Sequence, residues 1–319
     1  MNRRSFVAAS LCGPWWGSEA SAASRVQVGI MDGNLGFATD PEAVPHAAKL
    51  GFESVQVTLG RPVAGRLPLS DPALQAQWRE AAKQHRIRLS ATYIDALHVD
   101  CLKNNPQAYA WIEEGIRVTA ALQSPILMLV FFGKCALNDA AEEQAIIEPL
   151  RRVSPVARRA GVVLAIENTI SAAANIRILD AVKSPAVKVW YDIGNSTNVG
   201  GFDIAREIRE LGRDRICEFH IKDKGWLGEG KVDVKGAARA IRDIGYTGTC
   251  TLETSAPSGD KLADAGKQLE VFRAALREAG IQSGSGDPLD IMKRFMKRSR
   301  RRDENLRAEG NSPCLVHSV

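Results

Sequence analysis

Two kinds of segment alternate along the chain from residue 25 to residue 280, and each occurs eight times. Short apolar runs are followed by longer segments with the period of an amphipathic helix. Near-continuous apolar runs of this length are typical of parallel strands that are covered on both faces. The eight predicted strands are "VQVGI" (26–30), "SVQVTL" (54–59), "RLSATYI" (88–94), "PILMLVF" (125–131), "VVLAIEN" (162–168), "VKVWYDI" (187–193), "ICEFHIK" (216–222) and "TCTLETS" (249–255).

The helical segments carry ordinary start and stop signals, namely Asp or Asn followed by proline at the start and glycine after the end. The start signals are at Asp40, Asp71 and Asn105, and the predicted cap glycines are Gly51, Gly161, Gly245 and Gly280. Eight strand–helix units in about 255 residues predict a (β/α)8 TIM barrel, an α/β fold. A doubly wound open sheet is the alternative, but the first turn, "GIMDGNLGFATD", lacks the G-x-G-x-x-G pattern of nucleotide-binding sheets.

The N-terminal segment "MNRRSFVAASLCGPWWGSEASAAS" has the features of an export signal. Arg3 and Arg4 form a twin-arginine pair, Phe6 follows, and an A-x-A-type cleavage site lies at 20–22. We therefore expect residues 1–22 to be a twin-arginine signal peptide, residues 23–280 to form the barrel, and the mature protein to be periplasmic. An N-terminus without a targeting role is the alternative.

The positive charge of the chain is concentrated at its ends. The net charge is +5, and residues 281–319 follow a Gly/Ser-rich start with eight Lys/Arg against five Asp/Glu, whereas the 32 basic and 31 acidic residues of 23–280 nearly balance. The barrel therefore offers no basic field for nucleic acid. No run of eighteen apolar residues occurs, so no transmembrane segment is expected. We predict that 281–319 is a basic, disordered extension; binding to an anionic surface is the alternative.

The cysteines indicate no disulfide-rich scaffold. Five remain once the signal is removed, an odd number without a C-x-x-C pair. Cys217 and Cys250 fall in predicted strands and are expected to be small buried apolar residues.

Four consecutive strands end in a side chain that can bind a metal. Strand five ends in Glu167, strand six in Asp192, strand seven in His220 and strand eight in Glu253. In a closed barrel these side chains would converge at the carboxyl ends of the strands, where the active sites of TIM barrels lie. Three carboxylates and an imidazole suit Mn²⁺, Mg²⁺ or Co²⁺, with Zn²⁺ as a further candidate. Without an ion, three adjacent carboxylates would repel one another.

The second half of the sequence resembles the sugar phosphate isomerase/epimerase branch of the xylose isomerase-like barrel superfamily. The similarity covers about 25–280 and rests on "FHIKD" (219–223), "GEGKVD" (228–233), "GYTG" (245–248) and a strand that ends in Glu253. The resemblance implies that the four strand-end residues bind one divalent ion, for which Mn²⁺ is the first candidate. In the ketose 3-epimerases of this superfamily the two glutamates also act as acid and base. Asn195 and Gln56 depart from the pattern, which elsewhere has a second histidine and a glutamate at these positions.

We interpret the protein as a divalent-metal-dependent sugar isomerase or epimerase that removes a proton α to a carbonyl and passes through an enediolate. Glu167 and Glu253 are the predicted acid and base. Lys222 is expected to stabilise an oxyanion, although a salt bridge to Glu218 or to a loop acid explains it equally well. Asn195 and His98 are predicted to contact substrate, and His98 lies with Asp95 in a polar loop.

Three other functions use the same residues or the same fold. A metal-dependent 3-keto-glycoside lyase or hydratase would share the proton-abstraction step. A non-catalytic sugar-binding barrel would not need a pair of glutamates, and an apurinic-site endonuclease would need a histidine-rich zinc cluster, whereas the chain has five histidines in all. A small carbohydrate is therefore the expected partner, and assembly into a homo-oligomer stays open.

Overall fold

The computed structural model describes residues 25–284, which form eight parallel strands closed into a barrel. Each strand pairs with the next in sequence, and β8 pairs with β1. The strands are β1 Gln27–Met31, β2 Ser54–Thr58, β3 Arg88–Tyr93, β4 Ile126–Val130, β5 Val163–Glu167, β6 Val187–Asp192, β7 Ile216–Ile221 and β8 Thr249–Leu252. This confirms the predicted (β/α)8 TIM barrel and all eight predicted strands.

Helices surround the barrel and connect consecutive strands. Within the described residues there are ten α-helices, because the connections after β4 and β6 each hold a short helix before the main one. They are α1 Ala43–Leu50, α2 Pro72–His85, α3 Gln107–Ala121, α4 Ala140–Ala145, α5 Ile147–Arg159, α6 Ala172–Val182, α7 Ile193–Asn198, α8 Ile204–Leu211, α9 Val234–Asp243 and α10 Lys261–Glu278. None of these helices combines the length and the hydropathy that a membrane crossing requires.

The start and stop signals act mainly as predicted. Asp71 caps α2 by accepting a hydrogen bond from the backbone N–H of Ala73 at 2.9 Å. The other two Asp/Asn–Pro pairs form turns just before α1 and α3, which begin one or two residues after the proline. All four predicted cap glycines adopt φ between 65° and 91°, a left-handed conformation that side chains with a Cβ disfavour.

Bulky and polar side chains close the barrel beneath the strand ends. Trp190 is 1% exposed, and the buried Glu218 accepts hydrogen bonds from Ser90 and Thr251. Burial raises the pKa of Glu218 to about 7, against the opposing effect of these hydrogen bonds. The interior beneath the strand ends is therefore a packed core.

A disulfide joins Cys101 to Cys135, which lie in the loops after β3 and β4. Their Cα atoms are 5.0 Å apart and the residues are 34 positions apart in sequence. The sequence analysis did not predict this bond. Cys250 is fully buried, as predicted, whereas Cys217 is only partly buried.

We expect the double variant Cys101→Ser with Cys135→Ser to lose about 3–4 kcal/mol of unfolding free energy, because the cross-link restricts a 34-residue loop in the unfolded chain. Urea unfolding of oxidised wild type and variant measures the difference. Reducing agent should destabilise the wild type by a similar amount and leave the variant unchanged. Equal stability of wild type and variant, with no effect of reductant on either, would contradict the prediction.

Candidate active site

The four predicted ligands lie at the carboxyl ends of four adjacent strands. Glu167 and Asp192 are the last residues of β5 and β6, and His220 is next to last in β7. Asp192 and His220 are paired in the register of β6 and β7. Glu253 follows β8 directly, and its N–H donates to the carbonyl of Ile221 at 3.1 Å. Strand pairing alone thus places the four side chains at the same level along the barrel axis.

These four side chains form one compact cluster. Each contributes a ligand atom, and the four atoms all lie within 4.8 Å of one another. Nδ1 of His220 is 2.9 Å from Glu167 Oε1, 3.0 Å from Glu253 Oε2 and 3.8 Å from Asp192 Oδ2. Glu167, Asp192 and His220 are buried, and the side chain of Glu253 is 28% exposed. The four side chains therefore converge, as their positions at the strand ends predicted.

The donor set fits a divalent metal ion. Three carboxylates and one imidazole are ligands that Mn²⁺, Mg²⁺ and Co²⁺ accept. The buried Oδ2 of Asp192 lies 2.7 Å from Lys222 Nζ but accepts no well-directed hydrogen bond, so it keeps a lone pair that a metal ion could use. The cluster can therefore hold a metal ion.

His220 is held in place by groups outside the cluster. Its Nε2 donates to Gln56 Oε1 at 2.7 Å, which turns Nδ1 toward the carboxylates. The ring of Trp190 packs against His220 edge to face, with centroids 4.7 Å apart. Burial would lower the pKa of His220, but Glu167 and Glu253 outweigh it and raise the pKa to about 10. A metal ion would have to replace the proton on Nδ1.

Lys222 pairs with two of the carboxylates. Its Nζ lies 2.7 Å from Asp192 Oδ2 and 2.8 Å from Glu253 Oε2. Burial would lower the pKa of Lys222, but these two acids hold it above its usual value. The alternative partner Glu218 lies deeper in the barrel and binds Ser90 and Thr251 instead.

The two carboxylates beside Lys222 respond differently to their surroundings. Burial raises the pKa of Asp192 to about 7, although Lys222 opposes the shift. Burial would also raise the pKa of Glu253, but His220 and Lys222 bring it well below its usual range. Glu253 is therefore ionised in this arrangement, stabilised by the two cations beside it.

A cavity of about 310 Å³ opens above the cluster, a size typical of small-ligand sites. Its lining divides into two halves. The polar half comes from the β5–β8 side and consists of Glu167, Asn195, His220, Lys222 and Glu253. The apolar half comes from the β1–β4 side and consists of Met31, Tyr93, His98, Met128, Val130 and Phe132. The two predicted substrate-binding residues, Asn195 and His98, both line the cavity.

The loop after β3 forms part of the rim. The side chain of His98 is 39% exposed and stacks near Phe132, with ring centroids 6.1 Å apart. Asp95 accepts a hydrogen bond from Tyr93 Oη at 2.7 Å and pairs with Arg61. Asp95 therefore supports the rim and does not line the cavity, whereas His98 does.

The apolar half of the cavity was missed by the sequence analysis. Met31, Tyr93 and Val130 end strands of the first half of the barrel, and Phe132 lies two residues beyond the end of β4. The rule that selected the metal ligands, position at a strand end, would also have selected these residues. They were passed over because their side chains are apolar and suggest only core packing.

Sequence and structure comparisons show that the chain is similar to xylose isomerase-like barrels, several of which are sugar epimerases. The model of a family described as xylose isomerase-like TIM barrel matches residues 44–275. A 2-epi-5-epi-valiolone 7-phosphate 2-epimerase of Actinoplanes sp. is 28% identical over 211 residues, which is 63% of this chain and 76% of that protein.

Two solved structures share the fold. A D-psicose 3-epimerase from Clostridium cellulolyticum H10, crystallised with D-tagatose, superposes with a TM-score of 0.66 at 18% identity, covering 79% of this chain and 99% of that one. The apo 3-keto-D-glucoside 4-epimerase of E. coli gives a TM-score of 0.64 at 16% identity, and the match covers 78% of this chain and 100% of that one. Similarity at this level of identity establishes the fold alone.

Proposed function

The chain belongs to the xylose isomerase-like TIM barrel family, and we propose that it is a divalent-metal-dependent sugar epimerase or isomerase. The observation that carries the proposal is the cluster of Glu167, Asp192, His220 and Glu253 at the base of a ligand-sized cavity. A binding site alone would not need two glutamates on opposite sides of a metal cluster. The relatives named above are sugar epimerases, which supports the same conclusion.

The four clustered residues would hold the metal ion. When bound, a divalent ion would polarise the substrate carbonyl and acidify the carbon-bound proton next to it. Glu253, which lines the cavity and is partly exposed, would accept that proton. Glu167 lies on the other side of the cluster and is placed to return a proton to the opposite face. Lys222 lines the cavity and is positioned to donate a hydrogen bond to a substrate oxygen.

The cellular location is a separate part of the proposal. The signal predicted at 1–22 and residues 285–319 of the basic extension predicted at 281–319 lie outside the described residues. Of the first four residues of that extension, Ile281 is buried and Gln282 accepts a backbone hydrogen bond from Val26 at 3.1 Å. Export to the periplasm by the twin-arginine pathway therefore stays a prediction that rests on Arg3, Arg4 and the cleavage site at 20–22.

The test is solvent exchange at the reacting carbon. Full-length protein reconstituted with Mn²⁺ is incubated in D₂O with ketohexoses and 3-keto-glucosides, and NMR follows the products. We expect deuterium at the carbon next to the carbonyl and formation of an epimer or aldose. Release of an alcohol from a 3-keto-glucoside would instead assign the lyase reaction. Product without deuterium, or a reconstituted protein that contains no metal, would refute the proposed mechanism.

A further inference from the structure

The charges around the cavity bear on which sugars it accepts. A phosphate group needs a lysine or arginine, or several free backbone N–H groups, to replace its hydration. Among the lining residues, Lys222, His220 and His98 can carry positive charge. Nζ of Lys222 lies within 2.8 Å of both Asp192 and Glu253, so its charge is already matched by two carboxylates. His220 faces Glu167 and Glu253 in the same way.

Basic residues on the rim loops do not add a free positive charge to the cavity. Lys134 and Lys224 follow β4 and β7, but neither lines the cavity. Arg61 is 87% exposed and pairs with Asp95. Within residues 25–284, the cavity therefore has no lysine or arginine free to bind a phosphate. His98 lies at the rim, with its Nε2 4.0 Å from Asp95 Oδ1.

The backbone N–H groups after β7 are also occupied. In TIM barrels, phosphates frequently bind to the loops after strands seven and eight. Here the carboxylate of Asp223 accepts hydrogen bonds from the N–H groups of Lys224 at 2.8 Å, Gly230 at 3.1 Å and Val232 at 3.4 Å. A Cβ at Gly230 would overlap this carboxylate, so the "GEGKVD" segment is folded around Asp223.

The loop after β8 is arranged in the same way. Asp264 accepts hydrogen bonds from the N–H of Ser258 at 2.8 Å and from its hydroxyl at 2.6 Å. Asp260 accepts from the N–H of Ala263 at 3.0 Å, at the start of α10. Carboxylates of the chain itself thus accept hydrogen bonds from N–H groups of both loops, and their negative charge disfavours a phosphate beside them.

The opposite wall of the cavity favours the apolar face of a sugar. Met31, Met128, Val130 and Phe132 line the β1–β4 side of the cavity with apolar side chains. Such a surface packs against the C–H groups of a pyranose ring, whose hydroxyls would then face the polar half.

We propose that the substrate is an unphosphorylated sugar, free or as a glycoside, that packs its C–H face against the Phe132 side of the cavity. The inference rests on the proposed epimerase or isomerase activity and narrows its substrate class. It separates this chain from the Actinoplanes relative, whose name specifies a 7-phosphate.

Matched substrates test the proposal with the full-length, Mn²⁺-loaded protein. D-fructose, D-psicose, D-tagatose and 3-keto-glucose are each compared with their 6-phosphate by deuterium incorporation in D₂O. We expect exchange with an unphosphorylated sugar and kcat/KM at least about 100-fold lower for its phosphate, because a buried phosphate without a partner is strongly disfavoured. A phosphate that reacts as well or better would overturn the proposal and leave the proposed function intact. No exchange with any of the eight compounds, despite bound metal, would reject the proposed function and the substrate class with it.

A variant tests the apolar wall separately. Phe132→Ala should raise KM for the reactive sugar about tenfold, since burial of a phenylalanine side chain contributes on that scale, and should leave the metal content unchanged. Phe202→Ala is the matched control, because Phe202 does not line the cavity. An unchanged KM in Phe132→Ala would contradict the predicted packing.

Discussion

Replacing Glu253 or Glu167 by glutamine is expected to slow the reaction at least about 100-fold, the usual contribution of a positioned acid or base. Glutamine keeps the size and a carbonyl oxygen but cannot accept a proton. The two side chains approach His220 Nδ1 from different strand ends, at 3.0 Å and 2.9 Å, so both lie beside the proposed metal site. Solvent-exchange rates measured with each variant give the loss directly.

Because both glutamates are also proposed metal ligands, metal content has to be measured in each variant before the loss is read as catalytic. Assays at saturating Mn²⁺ separate the two effects. Glu210→Gln is the matched control, because Glu210 is exposed on α8 and lies outside the cavity. Full activity in Glu167→Gln or in Glu253→Gln at full metal occupancy would exclude that residue as acid or base.

Loss of a buried ligand should abolish stable metal binding. We expect His220→Ala and Asp192→Asn to retain almost no metal after dialysis, because each removes one of four ligand atoms that lie within 4.8 Å. Gln56→Ala should weaken metal binding about 10–100-fold, the usual effect of losing an outer partner of a metal-bound histidine. Gln56→Glu keeps an acceptor for His220 Nε2 and should retain most of the affinity.

Titration of metal-free protein with Mn²⁺, followed by calorimetry, measures these affinities without any assay of activity. Gln144→Ala is the control, since Gln144 is exposed on α4. An unchanged affinity in His220→Ala would show that the ion binds elsewhere. An unchanged affinity in Gln56→Ala would show that the 2.7 Å contact does not orient the ring.

The fold and the convergence of the four ligands were predictable because both follow from periodicity. Eight apolar runs at regular spacing leave few arrangements other than a closed parallel barrel, and parallel strands end at the same edge. Glu167, Asp192, His220 and Glu253 could therefore be placed together before any coordinate was known. The cap glycines were predictable for the same reason, since a helix that must end before a strand favours a left-handed residue.

Other features depend on side-chain geometry that periodicity does not specify. The contact between Gln56 and His220 joins residues 164 positions apart, and its existence depends on which side chains of β2 and β7 point into the barrel. The sequence could not show which acid pairs with Lys222. Glu218 lies on the strand that precedes Lys222, and Glu253 lies at the end of the neighbouring strand. The bond between Cys101 and Cys135 requires the exact path of two loops, although both cysteines follow neighbouring strands.

The division of the cavity between the two halves of the barrel has a consequence for how this protein can diversify. The groups that would perform the chemistry come from the β5–β8 side, whereas Met31, Val130 and Phe132 come from the β1–β4 side. A protein that accumulates substitutions on the β1–β4 side of the cavity can acquire a new substrate range while it keeps its reaction. Directed evolution for a different sugar would therefore best begin with saturation libraries at these three positions, leaving the second half of the gene untouched.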